Sequence, residues 1–170
     1  VVVDMQKDFV DGSLGSKEAV SIVPAVVKKA RDFDGTVLFT RDTHGEDYME
    51  TQEGKYLPVA HCIRGTEGWE LIPELEEMKD SRKAQCFDKP AFGSVALAEA
   101  LRAMYEAGEL GSVELVGLCT DICVVSNALL IKAFMPELPV SVDASCCAGV
   151  TPEKHAAALE TMRSCQIQIL

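Results

Sequence analysis

Val113-Glu114-Leu115-Val116-Gly117-Leu118 runs directly into Cys119-Thr120-Asp121-Ile122-Cys123-Val124. The first stretch is apolar nearly throughout, which is the pattern of a strand buried on both faces. After the turn, Cys123 to Met135 continues with an amphipathic helical pattern. A buried strand that turns into a helix is the repeating unit of a parallel sheet, because parallel neighbours need a crossover connection.

The same alternation extends outward in both directions. Strands are expected at Val1–Met5, Thr36–Thr40, Ala84–Phe87, Val140–Val142 and Ile167–Leu170, with helices at Lys17–Phe33, Ser94–Ala107 and Pro152–Ser164. In Ser94–Ala107 the residues Val95, Leu97, Ala98, Leu101, Met104 and Tyr105 recur at three- and four-residue steps. Thr151-Pro152-Glu153 reads as a helix start, an N-cap followed by Pro at the first helical position. The expected class is α/β, a parallel sheet covered on both faces. There is no repeat, low-complexity segment or linker, so residues 1–170 read as one domain. One irregular stretch, Asp42–Ile72, spans about 30 residues rich in Gly, His, Glu and Pro, and loops of that length are usually functional or mobile.

The composition narrows the partners. The chain is 48% hydrophobic and 25% charged, as an ordinary globular protein is. Its formal net charge of −11 repels phosphate backbones and anionic membrane surfaces, so neither nucleic acid nor membrane is an expected partner. No apolar run reaches the roughly 20 residues that cross a bilayer. Val1-Val2-Val3 opens without an initiator Met or a secretory pattern, so the chain is expected to start after its native first residues. Seven cysteines with no CxxC pair and no zinc-finger spacing fit a reducing, cytoplasmic setting better than a disulfide framework. Most of them are expected to be small buried hydrophobes.

Parallel sheets bind ligands at the carboxyl ends of their strands. The residues expected there are Asp4, then Arg41-Asp42-Thr43-His44, then Asp88-Lys89, then Cys119 to Cys123, then Asp143. Cys123 opens a helix, where the dipole and free N–H groups favour a thiolate and can hold an oxyanion. The alternative is a buried cysteine capping a helix turn. Asp4 follows three valines, where a charge is costly unless partnered, and could carry the thiol proton; a solvated strand-end Asp is its plainer reading. Lys89 precedes Pro90 and is therefore extended, facing either the thiolate or solvent. Cys119 fits the same site but points less obviously at an open pocket.

Together these residues resemble the isochorismatase-like cysteine hydrolase superfamily, which includes nicotinamidases. The resemblance rests on Val3-Asp4-Met5-Gln6-Lys7-Asp8-Phe9, on Lys89 after the third strand, and on Gly117 to Val124. It implies a Rossmann-like three-layer α/β/α fold with a six-stranded parallel sheet. It implies a triad of Asp4, Lys89 and Cys123, with acyl transfer through a thioester on Cys123. It further implies a cis peptide at Leu118–Cys119, which would turn the Cys119 N–H toward the oxyanion beside that of Cys123. Phe9 matches a position that packs against the substrate ring. Asp42-Thr43-His44 and Pro58-Val59-Ala60-His61-Cys62 are similar to the metal-binding segments of nicotinamidases. They imply a divalent ion, zinc, iron or manganese, on Asp42, His44 and His61, with no organic cofactor.

Two departures separate this chain from that pattern. Asp47-Tyr48 stands where a third metal histidine often follows, and Leu57-Pro58 stands where a ring-stacking Trp is common. His155 reads as a surface or packing residue. The expected activity is hydrolysis of a small amide, nicotinamide-like in the broad sense, by a homo-oligomeric enzyme acting on a small-molecule substrate. Vinyl-ether hydrolysis, ureido or carbamoyl amide hydrolysis, and a non-catalytic redox or regulatory role on the same fold are its rivals.

Overall fold

Val2 and Val3 illustrate the rule that organises the molecule: successive strand residues point to opposite faces of a sheet, and these two sit in different apolar clusters. The structure, a computed structural model, describes residues 1–170. In chain order its elements begin with β1 (Val2–Val3), α1 (Lys7–Val10), α2 (Lys17–Asp32), β2 (Phe39–Asp42), α3 (Gln52–Tyr56), α4 (Pro73–Arg82) and β3 (Cys86–Lys89). There follow α5 (Val95–Glu106), β4 (Val113–Leu118), α6 (Val125–Phe134), β5 (Val140–Ala148), α7 (Pro152–Ser164) and β6 (Gln168–Ile169). The six strands form one sheet in the order β3-β2-β1-β4-β5-β6, and every neighbouring pair is parallel.

Both faces are covered. On one, Ile22, Val26 and Ala30 of α2 and Leu75 and Met78 of α4 pack on Val2, Phe39 and Val116. On the other, Leu97 and Leu101 of α5, Ile131 of α6 and Met162 of α7 pack on Val3, Leu38 and Leu115. Each fully buried aliphatic side chain contributes roughly 1.5–3 kcal/mol, so the two clusters are what hold the layers together. No helix is long and apolar enough to cross a membrane.

Strand order reverses between β1 and β4, which pair with each other. Chains leave this point in opposite directions, and a crevice opens at the carboxyl ends of the two strands. Gly117 is indispensable to it. It has φ +119, and a Cβ there would fall 2.1 Å from the Val3 carbonyl oxygen. β1 and β4 thus approach closely just beneath Asp4 and Cys119.

Several expected boundaries move. β2 and β3 run two residues further than their apolar runs suggest, so Asp42 and Lys89 are paired strand residues. Asp143 lies inside β5 rather than after it. It accepts from Ser145 N and Oγ at 3.0 and 2.6 Å across an irregularity in the strand and pairs with Lys29 at 2.7 Å. The 42–72 stretch is built of short ordered pieces, α3 among them, tied by single bridges from His44 to Ile63 and from Gln6 to Leu71.

Candidate active site

Asp4 ends β1 with φ +47, a left-handed turn that Asp tolerates better than most residues. Its Oδ1 accepts from the Thr40 hydroxyl at 2.6 Å. Oδ2 stands 2.6 Å from the ammonium of Lys89. Lys89 is only 1% exposed. It also lies 3.3 Å from Asp42 Oδ1 and donates to Cys123 Sγ at 3.3 Å. Asp4, Lys89 and Cys123 therefore meet in one buried cluster, reached from the ends of β1, β3 and β4.

Cys123 sits in a π-helical turn, Thr120–Val124, ahead of α6. That turn is closed by Val124 N–H donating to the Cys119 carbonyl at 3.0 Å, a five-residue step, and such turns recur at functional sites. Asn127 ties it down, giving one N–H to the Cys123 carbonyl at 2.8 Å and accepting from Ser94 N at 2.9 Å.

Charge in this cluster is set by burial. Burial raises the Asp4 carboxyl, against the opposing pull of Lys89. Burial pushes the Cys123 thiol well up, and the facing Asp4 carboxylate pushes it further, while Lys89 acts the other way. Burial and Asp4 therefore oppose the thiolate that the helix start and Lys89 favour. Lys89 stays protonated because Asp4, Cys123 and Asp42 together outweigh its own desolvation. A raised carboxyl beside a raised thiol is a pair between which a proton can move.

Every peptide bond is trans, including Leu118–Cys119. The cis expectation is corrected, and with it the oxyanion role given to the Cys119 N–H. Trans is the low-energy form by several kcal/mol, and here the chain is redirected by Gly117 and the π turn instead. Cys119 does line the cavity, contrary to its expected orientation, with its thiol pushed up to about 12 by burial. All seven cysteines are free.

Beside this cluster lies a second one. His44 Nε2 and His61 Nε2 stand 2.9 and 3.6 Å from Asp42 Oδ2. Both also lie close to Glu53 Oε1, at 3.8 and 3.7 Å. The four ligand atoms fall within 4.8 Å of one another. Two imidazoles and two carboxylates suit a divalent ion, and these residues fit one. His61 Nδ1 faces the Val59 carbonyl at 2.8 Å. A carbonyl only accepts, so Nδ1 carries a proton, and the neutral ring has its Nε2 lone pair free for an ion. Burial pushes Asp42 up, but His44, His61 and Lys89 hold it well below the ordinary carboxylate range. Asp42 in turn holds His61 above its usual value against burial.

Glu53 is the member that sequence reasoning missed. Four acids, at 46, 47, 50 and 53, follow His44 in the loop, and nothing local distinguishes them. Glu53 is selected by α3, which docks closely because Gly54 has no side chain: a Cβ there would lie 2.1 Å from the Tyr48 carbonyl oxygen. Tyr48 packs edge-on against both histidines, at 4.7 and 4.9 Å between centroids. Gln6 was missed as well. It donates to the Asp42 carbonyl at 2.9 Å and accepts from Asp42 N at 2.7 Å, clamping that residue's backbone.

Both clusters open on a cavity of about 520 Å³, lined by Asp42, Glu53, His61 and Cys123 at its polar end. Phe9, Leu14, Phe92, Ile122 and Val150 supply apolar walls. Phe9 also tilts against His61, 5.4 Å between centroids. A wider hollow of about 800 Å³ crosses Lys7, Asp11, Pro24 and Glu74. It is shallower and contains none of these groups, so the smaller cavity is the candidate site. Trp69 stays outside it, stacked under Arg41 at 3.7 Å and donating to Thr43 Oγ1 at 2.8 Å. His155, half-buried, pairs through Nδ1 with the Thr120 hydroxyl at 2.8 Å.

Residues 1–170 match the Isochorismatase domain. The chain is 28% identical over 186 residues to a nicotinamidase/pyrazinamidase of Mycobacterium tuberculosis, covering 100% of this chain and 96% of that protein. Among solved structures it is similar to the pyrazinamidase of Pyrococcus horikoshii in complex with zinc, at 30% identity and TM-score 0.79, over 99% of this chain and 96% of that one. It is similar also to the nicotinamidase/pyrazinamidase of Bacillus subtilis, at 26% identity and TM-score 0.84, over 99% and 96% of the two chains.

Proposed function

This chain belongs to the isochorismatase family, and we propose that within it the chain is an amidohydrolase that cleaves a small primary amide through a thioester on Cys123. The observation that carries this reading is the buried contact of Lys89 with both Asp4, at 2.6 Å, and Cys123, at 3.3 Å, at the closed end of an apolar cavity. The likeness to nicotinamidases and pyrazinamidases supports the reaction class.

Asp4 takes the thiol proton as Sγ bonds to the amide carbon, and Lys89 offsets the negative charge that develops there. When the C–N bond breaks, Asp4 returns that proton to the nitrogen and ammonia leaves. Water then attacks the thioester, Asp4 accepting its proton; the C–S bond breaks, the acid is released and the thiol is restored. The low dielectric of the buried cluster strengthens each of these charge interactions. Phe9 presents an aromatic face to the substrate body. A divalent ion, zinc, iron or manganese, held by Asp42, His44, Glu53 and His61 would supply a Lewis-acidic contact for a donor atom of the substrate.

The test is ammonia release from a panel of primary amides, nicotinamide and pyrazinamide included, with enzyme supplied with each metal in turn. The wild type is expected to turn over at least one amide and Cys123→Ala none. Absence of turnover on every amide, or undiminished turnover by Cys123→Ala, would falsify the reading.

A further inference from the structure

Lys154 is the one lysine or arginine that lines the cavity. Its backbone N–H is taken by the Thr151 cap at 3.3 Å, which leaves the side chain free of the helix start. It is exposed at the rim of the cavity, in a chain with 27 acidic and 16 basic side chains. Sheet order places it. Asp42 ends β2, and Lys154 follows β5 on α7, so three inter-strand spacings separate their strands. At about 4.8 Å per spacing that is roughly 14 Å, with Asp4 and Cys123 between them. A single-ring carboxamide, built of bonds of about 1.3–1.5 Å, fills only about half of that span. The walls between are apolar, Phe92, Ile122 and Val150 among them.

We infer that the preferred substrate is an amide with an apolar body and a second, anionic group, and that Lys154 is the specificity-determining residue that receives it. The acid–histidine cluster and the cysteine take the other end. This deepens the amidohydrolase reading and rests on it. A partly solvated charge pair is worth up to about 1 kcal/mol, so the expected selectivity is several-fold and falls as salt is added.

Isophthalic acid monoamide and isophthalamide differ only in having a carboxylate or a neutral amide at the far position. The wild type is expected to favour the monoamide about fivefold in kcat/KM per amide group. Lys154→Arg should keep that ratio, Lys154→Ala should bring it near one, and Lys154→Glu should invert it. Calorimetry of the monoamide with Cys123→Ala and with the Cys123→Ala, Lys154→Glu double variant reads the same contact without turnover. Weaker binding to the double variant supports the inference even if no amide is hydrolysed, in which case only the amidase reading falls. A ratio and an affinity that do not respond to Lys154→Glu in folded protein, or a wild type that prefers the neutral diamide, overturn it while leaving the amidase reading intact.

Discussion

The two polar clusters of this molecule are neighbours built on different principles. Asp4, Lys89 and Cys123 stand at or just past the ends of three strands of one sheet, in contact with each other and almost wholly buried. In the acid–histidine cluster only Asp42 belongs to a strand. His44, Glu53 and His61 come from the long loop that follows, shaped by the close approach at Gly54 and the left-handed Cys62 at φ +48, while Gln6 clamps the backbone of Asp42 where the loop begins. The first cluster is therefore part of the fold, and the second is laid against it. Asp42 joins them: Oδ1 faces Lys89 at 3.3 Å and Oδ2 faces His44 at 2.9 Å. Damage to the first cluster is therefore expected to cost stability and turnover together, whereas damage to the second should cost metal affinity and leave the fold standing.

The largest effect should follow Lys89→Met. The substitution keeps the stem and removes the charge, leaving Asp4 and Asp42 buried without their shared cation. Breaking a buried pair by deleting one partner typically costs about 3–5 kcal/mol, and loss of one preorganised charge-stabilising group costs about 10²–10³ in turnover. Urea unfolding and steady-state kinetics read the two losses. A variant that lost activity yet unfolded at the wild-type midpoint would break the claim that this cluster belongs to the fold.

Glu53→Gln tests the other side. It keeps the size and removes a ligand charge from the cluster. Zinc affinity, measured by calorimetry, should fall by at least the roughly 10–100-fold that loss of an outer-shell partner costs. Stability without added metal should change by no more than about 0.5 kcal/mol, as for a surface substitution. Unaltered zinc affinity would remove Glu53 from the site; a collapse of stability would erase the distinction between the regions.

The same division explains what could be read from sequence. Val113–Leu118 and Pro152–Ser164 were legible to the residue. A continuous apolar run and a Thr-Pro helix start are local signals. The ends of β2 and β3 were not, because Asp42 and Lys89 remain in strand through mutual pairing, which is a tertiary fact. α4 escaped because only Leu75 and Met78 of its ten residues are buried, too narrow a stripe to stand out among its charges. The residues that converge on Cys123 follow from parallel topology, which brings strand ends together. Glu53, Gln6 and Thr40 depend on how a loop docks or how neighbouring strands register. The trans Leu118–Cys119 bond shows that backbone geometry implied by a family resemblance must be checked locally.

The smallest expected effect probes the first cluster from within. Thr40 on β2 donates its hydroxyl to Asp4 Oδ1 at 2.6 Å, a contact that favours the ionised carboxylate and partly offsets its burial. Thr40→Val keeps the shape and deletes the donor, while Asp4 N–H keeps the Thr40 carbonyl at 3.2 Å. The Asp4 carboxyl should then rise further. A base must be ionised to accept the thiol proton, so activity is lost as pH falls through its pKa, and raising that pKa moves the acid limb of kcat/KM to higher pH. The hydrogen bond is worth about 1 kcal/mol net, so turnover at neutral pH should drop less than about tenfold, and Thr40→Ser should restore both rate and limb. A slower enzyme with an unmoved limb would mean that Thr40 shapes the strand without tuning the proton carrier. A moved limb with little loss of stability would make this donor the one part of the strand-end cluster that serves chemistry more than the fold.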